Sequence, residues 1–584
     1  MITLTLPYDR EIELLEPDLK AQLQGHELHF SYCGGKAKPL AEQYRLFRTV
    51  LNVDMDARVI GDGFQMLCQT SGTLNCPIDI GRCPDNSLSY RIYPNHANKR
   101  YYNYFVVENR DGYLLFGFTS CQRFAGYFEL INELGKTYLV ASIDGERIDP
   151  SKWTDRTLES VAILQDASLS TIYQQYAELI KNHHKPRDGI TKPAPIGWCS
   201  WYAYYADVNE QNIRSNLAVM KGELADLEWV LLDDGYQAFM GDWLTPSAKF
   251  SGGVKNLIQE IKLAGKKPAI WLAPFIAQPE SKLFQQHPDW FVSNAHGQPL
   301  EAEKVTYGGW RCTPWYVLDG SHPQVQAYLT HVIKTMREEW GVELFKLDAN
   351  YWGTLKGNRY LSGVTGVEAY RMGMRAIADG AGDAWLLGCN APMWPSLGLV
   401  DAMRVSDDVE RHASRFEQIA KETFYRSWQH RRLWQIDPDC ATFLSLPNQA
   451  TDHASYEFHR NVLLACGGFL LSGDPLPELS PFAQASLQKL IVRQQQTQAS
   501  STWMSLAVNH ARLTLTPHHQ LHCLFNYQEE AGTFVLTATQ PVHWYDYWSG
   551  KALSIEPTSV FEITLANRLS SCAIIASVEP FFRD

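Results

Sequence analysis

The sequence predicts a multidomain protein with an N-terminal antiparallel β-sandwich, a central (β/α)8 TIM barrel and a small C-terminal antiparallel β-domain. Its 584 residues are too many for one core of ordinary size, so two or three domains are expected. Short alternating runs fill residues 1–190, apolar runs alternate with amphipathic segments over 191–498, and alternating runs return over 499–584. These three patterns set the predicted domain boundaries.

The N-terminal region is predicted to be mostly strands. The runs SLSYRIYP (87–94), YYNYFVVEN (101–109) and YLLFGFTS (113–120) are separated by Gly, Asn and Asp, a spacing typical of an antiparallel sandwich. A helical stretch near 166–182 and a polar, proline-containing segment at 182–195 follow, and the second is predicted to be a linker. The same strand pattern in LHCLFNY and GTFVLTAT predicts the C-terminal β-domain.

Eight apolar runs come after the linker, with helix-like stretches such as 209–222 and 254–265 between them. Strands that alternate with helices indicate a parallel sheet, and eight units over roughly 300 residues fit a (β/α)8 barrel. A doubly wound sheet is the alternative, but the Gly-rich phosphate turn usual after its first strand is absent from the sequence. The predicted strands are 196–202, 227–234, 267–275, 342–349, 384–391, 402–408, 433–439 and 469–473.

Composition excludes several classes of partner. The net charge of -12 and pI near 5.9 argue against nucleic acid and anionic membranes. The N-terminus lacks the basic start and apolar run of a signal peptide, and no run approaches the ~18 apolar residues of a membrane span. The 12 cysteines lack paired or metal-type spacing. We therefore expect reduced thiols in a cytoplasmic protein.

Charged residues gather where the predicted barrel strands end. Catalytic groups of such barrels lie at the C-terminal ends of the strands, and a buried charge is costly without a partner. One interpretation is that each Asp only caps the following helix. A whole ring of them together with a Lys and an Arg instead favours a hydrolytic site. The strand-end residues are Trp201, Asp233, Asp234, Trp271, Lys346, Asp348, Cys389, Arg404, Asp407, Asp408, Asp437, Asp439 and Asp474.

Glycoside hydrolysis is a reaction that uses such a ring, because it needs one ionised and one protonated carboxyl group beside the scissile bond. Lys346 lies two residues before Asp348, so both face the same side of a strand, where the ammonium would keep the carboxylate ionised. Asp408 has Asp407 and Glu410 nearby, and like charges would favour its protonated form.

At these residues the sequence resembles the α-galactosidases of glycoside hydrolase family 36, in the clan that also holds family 27. The resemblance runs from about 196 to 475, and the order of the three predicted domains is also similar. It implies a retaining hydrolase for terminal α-galactosyl residues of small oligosaccharides. The strings that carry it are GWCSWY (197–202), LDDGYQAFMGDW (232–243), IWLAPF (270–275), FKLDANY (345–351), LGCNAP (387–392), MRVSDDV (403–409) and IDPD (436–439).

The resemblance also implies roles for single residues. Asp348 matches the family nucleophile and Asp408 the acid/base, with Asp407 at a variable position. Asp233 and Asp234 match the pair that binds the sugar 4- and 6-hydroxyls. This role would give specificity, because acceptors aimed at an axial 4-hydroxyl would be left unpaired by the equatorial epimer.

Other residues are expected at the edge of the sugar site. By the same resemblance Lys346 and Arg404 lie around the ring hydroxyls, and Cys389 either lies near the 2-hydroxyl or is a packed strand-end thiol. Trp201 and Trp271 are predicted walls or core residues. Relatives can borrow an aromatic roof from the N-terminal domain; Phe64 is a candidate, with a buried core Phe as the alternative reading.

No cofactor and no metal are expected, since the pairs His183/His184 and His518/His519 are of the kind that is usually solvated in loops. The expected partner is a small-molecule α-galactoside, with no nucleic acid and no membrane; the oligomeric state is open. Rival functions are an α-N-acetylgalactosaminidase, a galactosyl transglycosylase and a non-catalytic sugar-binding protein.

Overall fold

The computed structural model describes residues 2–6, 10–35 and 38–580. Its N-terminal part is one antiparallel sheet of thirteen strands, along which β1, β2, β5, β12, β11, β9, β10, β13, β4 and β3 are successive neighbours. The strands are β1 (Ile2–Leu6), β2 (Arg10–Leu14), β3 (Leu19–Gln24), β4 (Glu27–Tyr32), β5 (Gln43–Val50), β6 (Val59–Asp62), β7 (Gln69–Gly72), β8 (Pro77–Asp79), β9 (Tyr101–Asn109), β10 (Gly112–Phe118), β11 (Gly126–Glu133), β12 (Lys136–Asp144) and β13 (Thr157–Asp166).

This sheet folds back on itself as a sandwich. Phe30 of β4 stacks on Phe47 of β5 with ring centroids 5.8 Å apart, although five strands separate β4 from β5 along the sheet. The predicted strands 101–109 and 113–120 form β9 and β10. The strand predicted at 87–94 is wrong, because this segment forms turns. Its alternation arises from Tyr90, whose ring packs 5.4 Å from that of Tyr307 on a barrel loop.

The central part is a parallel barrel of eight strands, and all eight predicted strands form it. Every residue but two at the strand starts is buried, as expected when helices cover the outside and side chains fill the inside. The strands are β14 (Ile196–Cys199), β15 (Trp229–Leu232), β16 (Lys267–Leu272), β19 (Leu344–Leu347), β20 (Trp385–Gly388), β21 (Ala402–Arg404), β22 (Gln435–Asp437) and β23 (Leu470–Ser472). The hydrogen bond from Phe469 N to Ile436 O (3.0 Å) helps to join β22 and β23, the two end strands of this sheet, and so helps to close the barrel.

Helices surround the barrel, and those predicted at 209–222 and 254–265 form α3 and α4. The helix predicted at 166–182 forms α1, which packs on β10 and β13 of the N-terminal sheet. The helix starts follow local chemistry: the Asn209 and Thr365 side chains cap α3 and α7 in capping boxes. A two-stranded sheet of β17 (Ile276–Ala277) and β18 (Tyr316–Val317) lies in the excursion between β16 and β19. The helices are α1 (Leu169–His183), α2 (Trp201–Tyr204), α3 (Glu210–Met220), α4 (Val254–Leu263), α5 (Lys282–Gln286), α6 (Pro323–Thr335), α7 (Gly366–Ala381), α8 (Ala413–Arg426), α9 (His453–Cys466) and α10 (Pro481–Gln496).

The segment 182–195, predicted as a linker, is packed against the barrel. Arg187 pairs with Asp401 (Nε to Oδ2, 2.9 Å), and the Gln435 amide donates to Gly189 O at 2.7 Å. These contacts hold the chain where it passes from the sandwich to β14.

A fully buried ion pair joins the N-terminal sheet to the barrel. Arg426, at the end of α8, pairs with Asp62 of β6 (Nη2 to Oδ1, 2.6 Å), and both side chains are 0% exposed. The same guanidinium donates to the carbonyl oxygens of Met66, Cys68 and Val405. Its charge and its N–H groups are thus satisfied on both sides of the junction.

The C-terminal part is a six-stranded antiparallel sheet, as the sequence predicts. It packs on the barrel helices: Trp548 Nε1 donates to Asn461 Oδ1 of α9 at 2.6 Å. The two boundaries between the three domains remain predictions. Among the described residues, no helix is both long enough and apolar enough to cross a membrane. The strands are β24 (Thr502–Trp503), β25 (His510–Thr516), β26 (His519–Phe525), β27 (Gly532–Asp546), β28 (Thr558–Leu565) and β29 (Ser571–Ser577).

Candidate functional site

A cavity of about 410 Å³ opens at the C-terminal ends of the barrel strands, where enzymes of this architecture carry their active sites. Seven of the nine predicted site residues line it, and the other two, Arg404 and Cys389, lie next to a lining residue. The lining residues are Leu67, Arg82, Cys83, Ser89, Tyr90, Trp201, Tyr202, Tyr205, Asp233, Asp234, Trp271, Tyr307, Trp310, Lys346, Asp348, Asn390, Asp407, Asp408, Val409, Glu410 and Gln449.

Asp348 follows β19 directly and is held by three N–H donors. Trp271 Nε1 donates to Oδ2 (2.9 Å), while Asn390 Nδ2 (2.9 Å) and Ala349 N (2.6 Å) donate to Oδ1. The side chain is 7% exposed. The carboxylate is therefore fixed in orientation at the floor of the cavity.

Lys346 contacts Asp233, although the sequence pattern paired it with Asp348. Its Nζ lies 2.7 Å from Asp233 Oδ2, and both side chains are buried. Burial raises the pKa of Asp233, and the nearby ammonium acts in the opposite direction. The ammonium is still on the same face of the strand as Asp348, whose charge contributes to raising the pKa of Lys346 against the effect of burial.

Asp234 forms a second ion pair, with Arg311, which the sequence analysis missed. Arg311 Nε donates to Asp234 Oδ2 at 2.6 Å, and its Nη2 contacts the other oxygen. The Gln237 amide also donates to Oδ1, at 2.7 Å. Asp233 and Asp234 thus present two adjacent, oriented carboxylates, one backed by an ammonium and one by a guanidinium.

Asp408 lies beyond β21 at the rim of the cavity, and its side chain is 48% exposed. Arg404 Nη2 lies 2.8 Å from Asp408 Oδ1 and 2.7 Å from Asp439 Oδ2. Burial raises the pKa of Asp439 to about 6, and the Tyr202 hydroxyl donates to it. One guanidinium therefore joins the rim carboxylate to a buried one below it.

The negative charges of Asp407 and Glu410, which were predicted to favour a protonated Asp408, are offset by other residues in this geometry. Asp407 pairs with Arg82 and Arg415, and Glu410 also pairs with Arg415, at 3.0 Å. These arginines offset the negative charge of both neighbours. The group in contact with Asp408 is the cationic Arg404.

The remaining predicted residues take different positions. Trp201 is partly exposed and lines the cavity, whereas Trp271 is 1% exposed and serves as a hydrogen-bond donor to Asp348. Cys389 is a buried thiol, with Sγ 3.8 Å from Arg404 Nη1. Burial raises the pKa of this thiol well above its ordinary value.

Two further strand-end carboxylates are structural. Asp437 accepts from Asp439 N at 2.9 Å, and Asp474 pairs with Arg411 at 2.7 Å while it accepts from Phe443 N. Neither lines the cavity. Their role is to fix the loops that follow β22 and β23.

Part of the cavity wall comes from the N-terminal region. Leu67, Arg82 and Tyr90 line it, and no spacing in the sequence signals these contributions. Phe64, the candidate roof, is buried, and its ring packs against Tyr102 with centroids 5.5 Å apart. The alternative reading of Phe64 as a core residue is the one that the structure supports.

Comparison with known proteins agrees with this geometry. A sequence profile of the melibiase family matches residues 155–380. The resemblance to the melibiases is confirmed. The matched segment holds four of the barrel strands, with Asp233, Asp234, Lys346 and Asp348.

Curated relatives that part of this chain matches are α-galactosidases. AgaA of Geobacillus stearothermophilus is 27% identical over 202 residues, which are 33% of this chain and 26% of the relative. The α-galactosidase of Escherichia coli is 27% identical over 195 residues, 31% of this chain and 25% of the relative. The matched stretch therefore spans about a quarter of the length of these relatives.

Solved structures share the fold over most of the chain. TtGalA, an α-galactosidase from Thermus thermophilus in complex with p-nitrophenyl α-D-galactopyranoside, has a TM-score of 0.66 over 88% of this chain and 97% of its own, at 20% identity. The family 36 enzyme AgaA from Geobacillus stearothermophilus has a TM-score of 0.63 over 97% of this chain and 81% of its own, at 14% identity. The three-part architecture of this chain is therefore shared with these two solved structures.

Proposed function

We propose that this protein is a retaining α-galactosidase, a glycoside hydrolase that removes terminal α-D-galactosyl residues from oligosaccharides by double displacement. The observation that carries the proposal is the presence of Asp348 and Asp408 in one cavity, at the ends of two barrel strands. Each group follows a barrel strand and faces the same cavity, as the two carboxyl groups that flank a scissile glycosidic bond must.

In the proposed reaction Asp348 attacks the anomeric carbon while Asp408 gives a proton to the leaving oxygen. This step leaves galactose bonded to Asp348 and releases the rest of the oligosaccharide as the leaving group. Asp408 then takes a proton from water, which attacks the same carbon and frees both galactose and Asp348. We expect the two carboxyl groups to be about 5–5.5 Å apart in the substrate complex, as retention requires.

The proposed specificity rests on the two acidic residues after β15. Asp233 and Asp234 would accept hydrogen bonds from the 4- and 6-hydroxyls, while Lys346 and Arg311 hold the carboxylates in place. An equatorial 4-hydroxyl would leave an oriented, buried acceptor unpaired, which costs about 1–3 kcal/mol. Trp201 would contact the apolar face of the sugar, and Cys389 and Arg404 would be near the 2-hydroxyl.

Hydrolysis rates on aryl α-galactoside, α-N-acetylgalactosaminide and α-glucoside, measured side by side, test this proposal. We expect the α-galactoside to be turned over at least about tenfold faster than the α-glucoside, from the energy of one unpaired acceptor. Faster turnover of the N-acetyl sugar would mean that the space near Cys389, at the 2-position of the sugar, determines the specificity. Absence of turnover on all three would contradict the proposal.

The finer features of the proposed function are the natural substrate and the compartment. Melibiose and raffinose are the proposed substrates, because the cavity of about 410 Å³ is of the size that holds a small ligand. All twelve cysteines of the sequence lie in the described part of the chain and are free thiols. This supports a reducing compartment, and we propose the cytoplasm.

A further inference from the structure

Away from the catalytic cavity, three potential metal ligands meet where helix α1 packs on the N-terminal sheet. Glu27 and His29 are on strand β4, and His183 is the last residue of α1. One ligand atom from each lies within 4.8 Å of the other two. His183 Nε2 is 2.7 Å from Glu27 Oε1, and His29 Nε2 is 3.4 Å from Glu27 Oε2.

These separations fit a small tetrahedral ion. With metal–ligand bonds of about 2.0–2.1 Å, neighbouring ligands of tetrahedral zinc are about 3.3–3.4 Å apart. His29 Nε2 already has this separation from Glu27 Oε2. The 2.7 Å between His183 Nε2 and Glu27 Oε1 needs to lengthen by about 0.6–0.7 Å, with the carboxylate turned so that one oxygen faces both imidazoles. Two imidazoles and one carboxylate form a ligand set that Zn²⁺ commonly uses.

Hydrogen bonds behind the cluster support the orientation of its ligands. The Ser160 hydroxyl is 3.0 Å from His29 Nδ1, and when Nδ1–H donates to it, the Nε2 lone pair points into the cluster. Nε2 is shielded from solvent and has no hydrogen-bond partner among the described residues. Thr119 donates to Glu27. Such outer contacts are usual around metal-bound histidines and carboxylates.

We propose that Glu27, His29 and His183 bind one zinc ion. The His29 and His183 side chains are 27% and 23% exposed, so water can reach the site and supply the fourth ligand. None of the three residues lines the catalytic cavity. The ion would connect positions 27 and 183, which are 156 residues apart in sequence, and would hold α1 on the sandwich without taking part in hydrolysis.

The test is zinc titration of the full-length protein after removal of metals with a chelator. Calorimetry and thermal unfolding are followed for the wild type, His29→Ala, His183→Ala and the matched control His331→Ala, which removes an exposed histidine outside the cluster. We expect one equivalent of Zn²⁺ to bind and to raise the unfolding temperature of the wild type and the control. Each cluster variant should bind zinc at least roughly 100-fold more weakly, because loss of a ligand exceeds the effect of losing an outer partner, and should lose the temperature rise.

Two further measurements make the outcome specific. Co²⁺ bound to the wild type should give the visible absorption of a tetrahedral ion, and Ca²⁺ and Mg²⁺ should have no effect, because they prefer all-oxygen ligands. Ser160→Ala, which preserves all three ligands, should weaken zinc binding less than loss of a histidine. Absence of saturable zinc binding in the wild type, or binding as tight as that of the wild type in both histidine variants, would overturn the proposal and leave a hydrogen-bonded His–Glu cluster. Neither result bears on the proposed hydrolysis.

Discussion

The floor and the rim of the catalytic cavity differ in how tightly they hold their carboxylates. At the floor, Asp348 is 7% exposed and accepts three N–H bonds. At the rim, the Asp408 side chain is 48% exposed and contacts the Arg404 guanidinium. A nucleophile benefits from a fixed orientation toward the carbon that it attacks, whereas an acid/base must reach the leaving oxygen first and a water molecule later. The two environments therefore suit the two proposed roles.

Loss of the floor carboxylate should have the largest effect. Asp348→Gly is expected to lower kcat on an aryl α-galactoside by roughly 10⁴-fold or more, because the covalent step is lost. Azide should restore turnover and give β-galactosyl azide, since it attacks from the face that Asp348 occupied while the aryl oxide leaves. The control is Asp207→Asn, whose side chain is fully exposed to solvent. Activity of Asp348→Gly close to that of the control would assign the nucleophile to another residue.

Loss of the rim carboxylate should depend on the leaving group. Asp408→Gly is expected to lower kcat/KM on raffinose by roughly 10²–10⁴-fold, but to affect an activated aryl galactoside much less, because that leaving group needs no proton. Azide should now give the α-galactosyl product, from attack on the Asp348-bound intermediate. Equal losses on both substrates would contradict the acid/base role.

The ion pairs of floor and rim should differ in stability too. Lys346→Met leaves the Asp233 carboxylate buried without its cation, and we expect a loss of about 3–5 kcal/mol in the free energy of unfolding. Arg82→Ala removes a rim cation that is 54% exposed, and the expected loss is at most ~1 kcal/mol. Urea unfolding measures both. The double variant Asp233→Asn/Lys346→Met should be more stable than Lys346→Met alone, and the reverse order would show that the Lys346 stem, not its charge, carries the effect.

An effect smaller than that of Lys346→Met is expected in the pH dependence of stability. Burial raises the pKa of Asp439 from its ordinary 3.8 to about 6, so the folded chain holds this proton more tightly than the unfolded chain. This contribution is fully present below pH ~4 and is lost as the pH rises through about 6, by up to about 3 kcal/mol. Asp439→Asn should make the fall shallower between pH 4 and 6. Asp85, with a pKa raised by burial to about 7, is untouched and should continue the fall in both proteins; parallel curves would contradict the assignment.

The same contrast explains how much the sequence predicts. The floor is predictable because strands end at fixed points: the run before Asp233 is uninterrupted and apolar, the run before Asp348 is apolar except for Lys346, and each acidic residue comes directly after its run. Parallel strands then bring these ends together whatever the loops do. All eight barrel strands were predicted for this reason.

The rim is not predictable in this way. Arg311 reaches Asp234 from the long excursion between β16 and β19, and Tyr90 and Arg82 come from turns of the N-terminal region. Their positions depend on how loops pack across a domain junction, and the local spacing of apolar residues in the sequence does not indicate this packing. The strand predicted at 87–94 is wrong because Tyr90 packs against Tyr307 on a barrel loop and the segment forms turns instead of pairing with a neighbouring strand.

The buried pair between Arg426 and Asp62 makes the sandwich and the barrel thermodynamically inseparable. A chain cut near residue 190 would lose the counter-charge of Arg426 and two of its carbonyl acceptors. It would also expose to water the rings of Trp394 and Trp428, which pack on Tyr104. Heat or denaturant should therefore melt both parts in a single cooperative transition. The cavity at the strand ends should be lost at the temperature at which the N-terminal sheet unfolds, and a barrel fragment should not retain it.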